Sequence, residues 1–119
     1  MSSPNFHIHE LNKIRKHTRG FFRGSARKLI SETISSLRPY IDKAKELPQE
    51  QRFNALKNLA STARNARDAA LESGARSYSH PEWAAASVAE SWLLLLLQND
   101  QQIIPEAERL IAEMEGQRV

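Results

Sequence analysis

The chain has 119 residues, of which 40% are hydrophobic and 26% charged, with a formal net charge of +3 at pH 7. This length predicts one domain with a single hydrophobic core, and the lack of cysteine excludes disulfides and thiolate chemistry. The longest apolar stretch, residues 83–97, is shorter than the roughly 20 residues of a membrane helix, and no secretory signal opens the sequence. We therefore expect a cytoplasmic protein without a membrane span.

The positive charge is concentrated near the N-terminus. Residues 1–28 contain seven basic residues and a single acidic one, Glu10, a balance of +6, whereas residues 29–119 contain ten basic and thirteen acidic residues, a balance of −3. We therefore predict a single all-helical domain over residues 1–119, in which residues 1–24 form a basic N-terminal arm on a mildly acidic body.

The first predicted helix covers about residues 6–19. Leu11, Ile14, Thr18 and Phe21 or Phe22 recur at three- and four-residue steps, which predicts a buried face on one side of this segment. The basic side chains of the same segment are then expected on the opposite side.

The second predicted helix follows a turn at Gly20 and Gly24 and runs to about Glu46. Pro39 interrupts it, because proline lacks the backbone donor that an α-helix needs. The apolar positions stay in phase across Pro39, so we expect a kink near that residue rather than a break.

The third predicted helix opens at Leu47-Pro48 and ends at Gly74. Beyond Leu59 its inward positions are mostly alanine, so a neighbouring helix can approach closely, and we expect that neighbour to be the fourth helix. The inward stripe is predicted to consist of Phe53, Leu56, Ala60, Ala63, Arg67 and Ala70.

The fourth predicted helix, about residues 81–98, is the centre of the fold. It combines two tryptophans and several alanines with five consecutive leucines, residues 93–97, so it is apolar on every side and has to be surrounded by other elements. Ser79 and Glu82 have the spacing of a capping box at its start.

The polar residues 99–102 predict the end of that helix, and Pro105 is expected to begin a short last helix to about Met114. The predicted fold class is therefore all-α: a small bundle of about five helices around a central hydrophobic helix, about residues 81–98.

Two groups of residues that include histidine are candidates for chemistry. His7, His9 and His17 have no cysteine or paired carboxylate to complete a metal site, so we interpret them as solvent-exposed polar residues. Arg76 and His80 resemble the Arg-His ribonuclease signature of HEPN-type helical domains, whose spacing is at least one residue longer. The resemblance implies a ribonuclease site, and the alternative is a loop that precedes a helix cap.

Glu90, inside the central helix, also permits an acid–base interpretation. We favour a structural ion pair with Arg64 or Arg67 of the third helix. Trp83 and Trp92 are nine residues apart and point to opposite sides of a helix, which predicts two core or interface anchors. Without a catalytic arrangement or a glycine-rich phosphate loop, we expect neither an enzyme nor a cofactor.

The basic arm is the strongest functional signal. Lysine and arginine neutralise phosphates, and aromatic side chains stack on unpaired bases. Residues 16–24, KHTRGFFRG, are similar over this short segment to the N-terminal helix of a ribosomal large-subunit protein, which implies contact with RNA. The predicted nucleic-acid or partner contacts are Lys13, Lys16, Arg19, Phe21, Phe22, Arg23, Arg27 and Lys28.

We therefore predict a small, non-enzymatic binding or regulatory protein whose basic arm contacts the phosphate backbone of RNA or DNA. The alternative is a protein–protein adaptor or inhibitor, of the type carried by phages and mobile elements, that docks an acidic partner or self-associates. Basic amphipathic helices also bind anionic membrane surfaces, which is a third interpretation of the arm. Bundles of this size often dimerise, so we expect a homodimer.

Overall fold

The computed structural model describes residues 4–19, 24–74 and 80–116. Within these ranges the chain forms five α-helices and no β-strand, which confirms the predicted all-α fold class. In chain order they are α1 (Pro4–Thr18), α2 (Gly24–Lys45), α3 (Gln49–Glu72), α4 (Pro81–Gln98) and α5 (Ile103–Met114).

Helix α4 is the centre of the bundle, as its apolar sequence predicts. It packs against each of the other four helices, most extensively against α3. Eleven of its 18 residues are buried, and Trp92 and Leu93 are almost completely removed from solvent. The helix ends at Asn99, which adopts a left-handed conformation with φ of 51°.

The predicted N-terminal cap of α4 and the predicted first residue of α5 are wrong. The residue before the first turn of α4 is His80, whose side chain makes no capping hydrogen bond, and the expected cap Ser79 lies outside the described residues. Helix α5 begins at Ile103, before Pro105, because a carboxylate oxygen of Asp100 accepts hydrogen bonds from the backbone N–H groups of residues 102 and 103 at 3.0 and 3.2 Å.

Helix α2 is continuous through Pro39, so this proline does not break it. Pro39 is exposed, whereas Ile30, Ile34 and Ile41 of the same helix are buried. The proline ring therefore faces solvent, and the apolar stripe that stays in phase across it packs against the core.

Helix α3 presents small residues to α4. Leu56, Ala60, Ala63 and Ala70 are buried, which confirms the predicted close approach of these two helices. The predicted burial of Phe53 is wrong, because its side chain is 51% exposed.

Phe53 is exposed because it lies near the start of α3, opposite the end of α4. There the two helices leave an open depression that Phe53 lines together with Leu96, Leu97 and Asn99. The chain turns away at Asn99, so no further turn of α4 covers the Phe53 ring.

Helix α1 packs against α4 and α5, and its inner residues Leu11 and Ile14 are fully buried. Thr18 is also buried, and its hydroxyl donates a hydrogen bond to the Ile14 carbonyl at 2.9 Å. The inner face of α1 is therefore part of the core. None of the helices, in the ranges that the structure describes, is both long and apolar enough to cross a membrane.

Candidate functional site

The outer face of α1 carries a row of cations. Lys13 and Lys16 of α1 are exposed, as is Arg19, which directly follows the last helical residue Thr18. Lys13 and Lys16 lie about 60° apart around the helix axis. They occupy the side away from Leu11 and Ile14, as predicted. We call these three residues the basic face of α1.

Most arginines elsewhere in the bundle are held by carboxylates. Arg15 contacts Glu113 at 2.8 Å, and Arg38 contacts Glu115 at 2.9 Å. The others that form ion pairs with glutamate are Arg64, Arg67 and Arg109.

The basic face is largely without such pairing. Lys13 reaches only Glu10, at 4.0 Å, and among the described residues no carboxylate forms an ion pair with Lys16 or Arg19. The sequence between Glu10 and Glu32 contains no acidic residue. By contrast, acidic residues flank the lysines near the α2–α3 turn: Asp42, Lys43, Lys45, Glu46 and Glu50.

The remaining predicted contact residues divide into two groups. Phe21, Phe22 and Arg23 lie outside the described residues. Lys28 is exposed on the second turn of α2, whereas Arg27 is partly buried. One guanidinium nitrogen of Arg27 lies 3.3 Å from the position that a Cβ atom would take at Gly116. Arg27 thus lies at the C-terminal end of α5, where a helix dipole favours a cation.

Sequence reasoning missed Phe6 and His9 as neighbours of the basic face. His9 is exposed and the Phe6 side chain is 50% exposed. Phe6 precedes Lys13 by seven residues and His9 precedes it by four, spacings that return to the same side of a helix. Both spacings can be counted in the sequence, so the position of Phe6 and His9 beside the basic face could have been predicted from it.

The prediction that His7 is exposed is wrong: only 5% of its surface is accessible. Its position on α1, four residues before Leu11, places it on the inner face. Burial lowers the pKa of the His7 imidazole, and the charges of Glu90 and Glu10 partly oppose this shift. His9 and His17 are exposed, as expected.

Glu90 forms the structural ion pair predicted from the sequence, with both candidate arginines. Arg64 Nε donates to one carboxylate oxygen at 2.6 Å, and Arg67 donates to the other. The hydrogen bond and the charge of Glu90 raise the pKa of Arg64. Both oxygens of Glu90 are thus engaged by arginine.

The second candidate for chemistry, Arg76 with His80, is incompletely described. Arg76 and Tyr78 lie outside the described residues, and His80 is partly buried next to the first turn of α4. Among the side chains that the structure does describe, no three from His, Cys, Asp and Glu are grouped to hold a metal ion.

A shallow apolar groove of about 440 Å³ runs between α2 and α3, with α4 as its floor. The hydroxyls of Thr33, Ser36 and Thr62 on its walls each donate to a carbonyl of their own helix, so they are already satisfied. Glu82 lies at one end, and Lys43 lines the adjoining depression at the other. Its apolar lining includes Leu29, Leu37, Leu59, Ala63, Ala85 and Ala89.

Comparison of the chain with protein families, with curated proteins and with solved structures gave no match. Its function therefore has to be inferred from its own side chains.

Proposed function

We propose that this chain is a non-enzymatic nucleic-acid-binding protein, in which the basic face of α1 contacts phosphates. The proposal is carried by the difference in ion pairing between the cations of the body and those of the basic face. Most arginines of the body are held by carboxylates, whereas Lys13 and Lys16 of α1 and the adjoining Arg19 are exposed, with at most a long contact from Lys13 to Glu10 among the described residues.

The physical basis is counterion release. A cation that neutralises a phosphate displaces condensed salt ions, so affinity falls linearly with salt on a logarithmic scale, with a slope of about −0.7 to −0.9 per phosphate contact. Three or four contacts, from the basic face and Lys28, give a slope between about −2 and −4. Such a site binds phosphates with little sequence preference, because backbone contacts do not read base edges.

The test is the fluorescence anisotropy of labelled RNA and DNA oligonucleotides across a salt series. The triple variant Lys13→Ala, Lys16→Ala, Arg19→Ala should lose most of the affinity and flatten the slope. A matched control removes the same charge elsewhere, with Lys43→Ala, Lys45→Ala and Lys57→Ala, and should retain binding. The proposal fails if the wild type does not bind at low salt, or if both variants lose affinity equally.

The groove between α2 and α3 supports a second candidate, a protein–protein adaptor. We propose that its occupant is an amphipathic helix of a partner protein. From Leu29 to Lys43 the groove extends about 21 Å, which is about four helical turns. A negative charge at the Glu82 end and a positive charge at the Lys43 end favour a helix with its N-terminus near Glu82.

Titration of isotope-labelled protein with a synthetic peptide tests this second function. The peptide has one apolar face, a lysine in its first turn and a glutamate in its last, and its control exchanges these two charges. We expect chemical-shift changes at the groove residues with the first peptide, and their loss in Ala66→Trp, which fills the groove from its exposed wall. Equal binding of both peptides, or of neither, would exclude this occupant.

A further inference from the structure

We infer that the open depression between the start of α3 and the end of α4 binds a small monocarboxylate with an apolar body, whose charge is met by Arg52. The depression has a volume of about 900 Å³, which is within the range of small-molecule pockets. The described residues of its lining belong to α3 and to the end of α4, and not to the basic face of α1. The inference is therefore independent of the proposed nucleic-acid function.

The first observation is the charge of Arg52, which lines the depression. This side chain is partly buried, and among the described residues no carboxylate forms an ion pair with it. Its Nε is buried without an acceptor, and one terminal nitrogen donates only a long hydrogen bond, 3.3 Å, to the Leu47 carbonyl. A partly buried guanidinium with so few acceptors favours an anion from outside the chain, because burial strengthens charge-assisted hydrogen bonds.

The pairing of other arginines shows what Arg52 lacks. Arg15 and Arg38 are also part of the body, and glutamates meet them at 2.8 and 2.9 Å. Glu50 lines the same depression as Arg52, but side chains two residues apart on a helix do not face each other, and these two form no ion pair. Within the part of the chain that the structure describes, a cation is thus brought to this depression without its carboxylate.

The second observation is the apolar surface beside Arg52. The Phe53 ring is half exposed, and Leu96 and Leu97 at the end of α4 are only partly buried. The ammonium of Lys57 lies 6.0 Å from the centroid of the Phe53 ring, a cation–π contact that restrains the ring. An apolar or aromatic ligand body that packs against these side chains removes exposed hydrocarbon from water.

The charged lining limits the ligand to a single negative charge. Arg52 and the positive end of the α3 dipole favour one carboxylate, whereas Glu50 repels a second negative charge. A monocarboxylate therefore fits this lining better than a dianionic phosphate does. The other polar side chains of the described lining are neutral amides: Gln49, Asn54 and Asn99.

The experiment titrates isotope-labelled protein with 3-phenylpropionate, which joins an aromatic ring to one carboxylate. We expect chemical-shift changes at residues 49–56 and 96–99. Arg52→Gln should weaken binding by about 10- to 100-fold, the range for the loss of a hydrogen bond to a charged group. The neutral amide 3-phenylpropanamide, which has the same body, should bind the wild type about as weakly as the acid binds the variant.

Three further substitutions complete the test. Arg19→Gln removes an arginine from the basic face and should retain the wild-type affinity for the acid. Arg52→Lys keeps the charge but loses the planar fork, so its affinity should be intermediate. Phe53→Ala removes apolar support without changing a charge and should weaken binding of the acid and of the amide by similar factors.

The inference is overturned if the wild type binds the acid and the amide equally, or if Arg52→Gln binds the acid as the wild type does. The comparison of acid with amide uses the wild type, so it remains decisive if Arg52→Gln, which loses the contact with the Leu47 carbonyl, does not fold. Tighter binding of phenyl phosphate than of the acid, or no shift changes at millimolar acid, would also overturn the inference. Oligonucleotide binding by the basic face is measured separately and is unaffected by these outcomes.

Discussion

At the scale of single residues, Glu90 is a buried carboxylate whose charge requires partners. It lies in an apolar helix with a side chain only 7% exposed, where an unpaired carboxylate would be costly. Arg64 and Arg67 extend across from α3 and reach it from the solvent side, with side chains 55% and 27% exposed. The contact therefore joins α3 to α4 through a charge whose partners remain partly solvated.

We expect Glu90→Gln to lower the free energy of unfolding by about 2 kcal/mol. Breaking a fully buried ion pair costs about 3–5 kcal/mol, and partial exposure of both arginines reduces this. Urea denaturation followed by circular dichroism measures the change. Glu106→Gln, which removes an exposed partner of Arg109, is the control and should leave the midpoint near that of the wild type. A Glu90→Gln variant as stable as the wild type would show that this ion pair is dispensable.

His7 predicts a pH dependence of stability. Burial lowers its pKa in the folded chain below the unfolded value near 6.5, so the unfolded chain binds more protons in acid. Its contribution is complete above pH 6.5 and is lost as the pH falls through the lowered folded-state pKa. Thermal unfolding midpoints should therefore fall between pH 7.5 and 5.5.

The variant His7→Gln should show a smaller fall in midpoint over the same pH range, because the buried imidazole that resists protonation has been removed. His9→Gln changes an exposed imidazole and should keep the wild-type fall. If the unfolding midpoints of both variants fall with pH as far as that of the wild type, another group is responsible for the loss of stability.

At the scale of helices, periodicity predicted most of the fold. The stripes that contain Leu11, Ile34 and Leu110 are buried where three- and four-residue spacing places them. Continuous hydrophobicity predicted that α4 is central, because a helix apolar on all sides can be accommodated only inside the bundle.

The errors arose where neighbouring elements, and not local pattern, decide the outcome. Phe53 continues its stripe, but α4 ends before covering it. His7 is polar, yet the register of α1 turns it inward against α4. For the candidate site, exposure of Lys13 and Lys16 followed from the pattern. The pairing of Arg15 with Glu113 and of Arg38 with Glu115 depends on tertiary contacts that one sequence does not display.

Pro39 gives a prediction for helix α2. Its ring faces solvent, while its missing N–H removes one hydrogen bond from the middle of a continuous helix. Pro39→Ala should restore that bond and raise the free energy of unfolding by about 1–3 kcal/mol. Chemical denaturation measures this, with Pro105→Ala as a control in the first turn of α5, where proline costs little. A less stable Pro39→Ala variant would mean that packing of α2 requires the proline.

At the scale of the whole molecule, the chain buries its own core. The radius of gyration is 13.6 Å, close to the roughly 13.5 Å that compact domains of this length have. Large apolar side chains with high exposure are few in the described ranges and dispersed: Phe6, Tyr40, Phe53 and Leu71. The central leucines are enclosed by, or packed against, the rest of the core, as the sequence predicts.

This packing predicts how any homodimer behaves on dilution. Because each copy already has a complete core, dissociation should leave the fold intact, so the helix content should stay constant on dilution, and the unfolding midpoint should fall only as far as that of the folded monomer. Light scattering across a hundredfold dilution series gives the mass, and circular dichroism on the same samples gives the helix content and the midpoint. A mass that falls to that of the monomer while the helix content stays constant fits two self-sufficient bundles. A loss of helix content as the mass falls would show that the interface completes the fold, and then the exposed rings of Phe6 and Phe53 would be the first positions to substitute with polar residues.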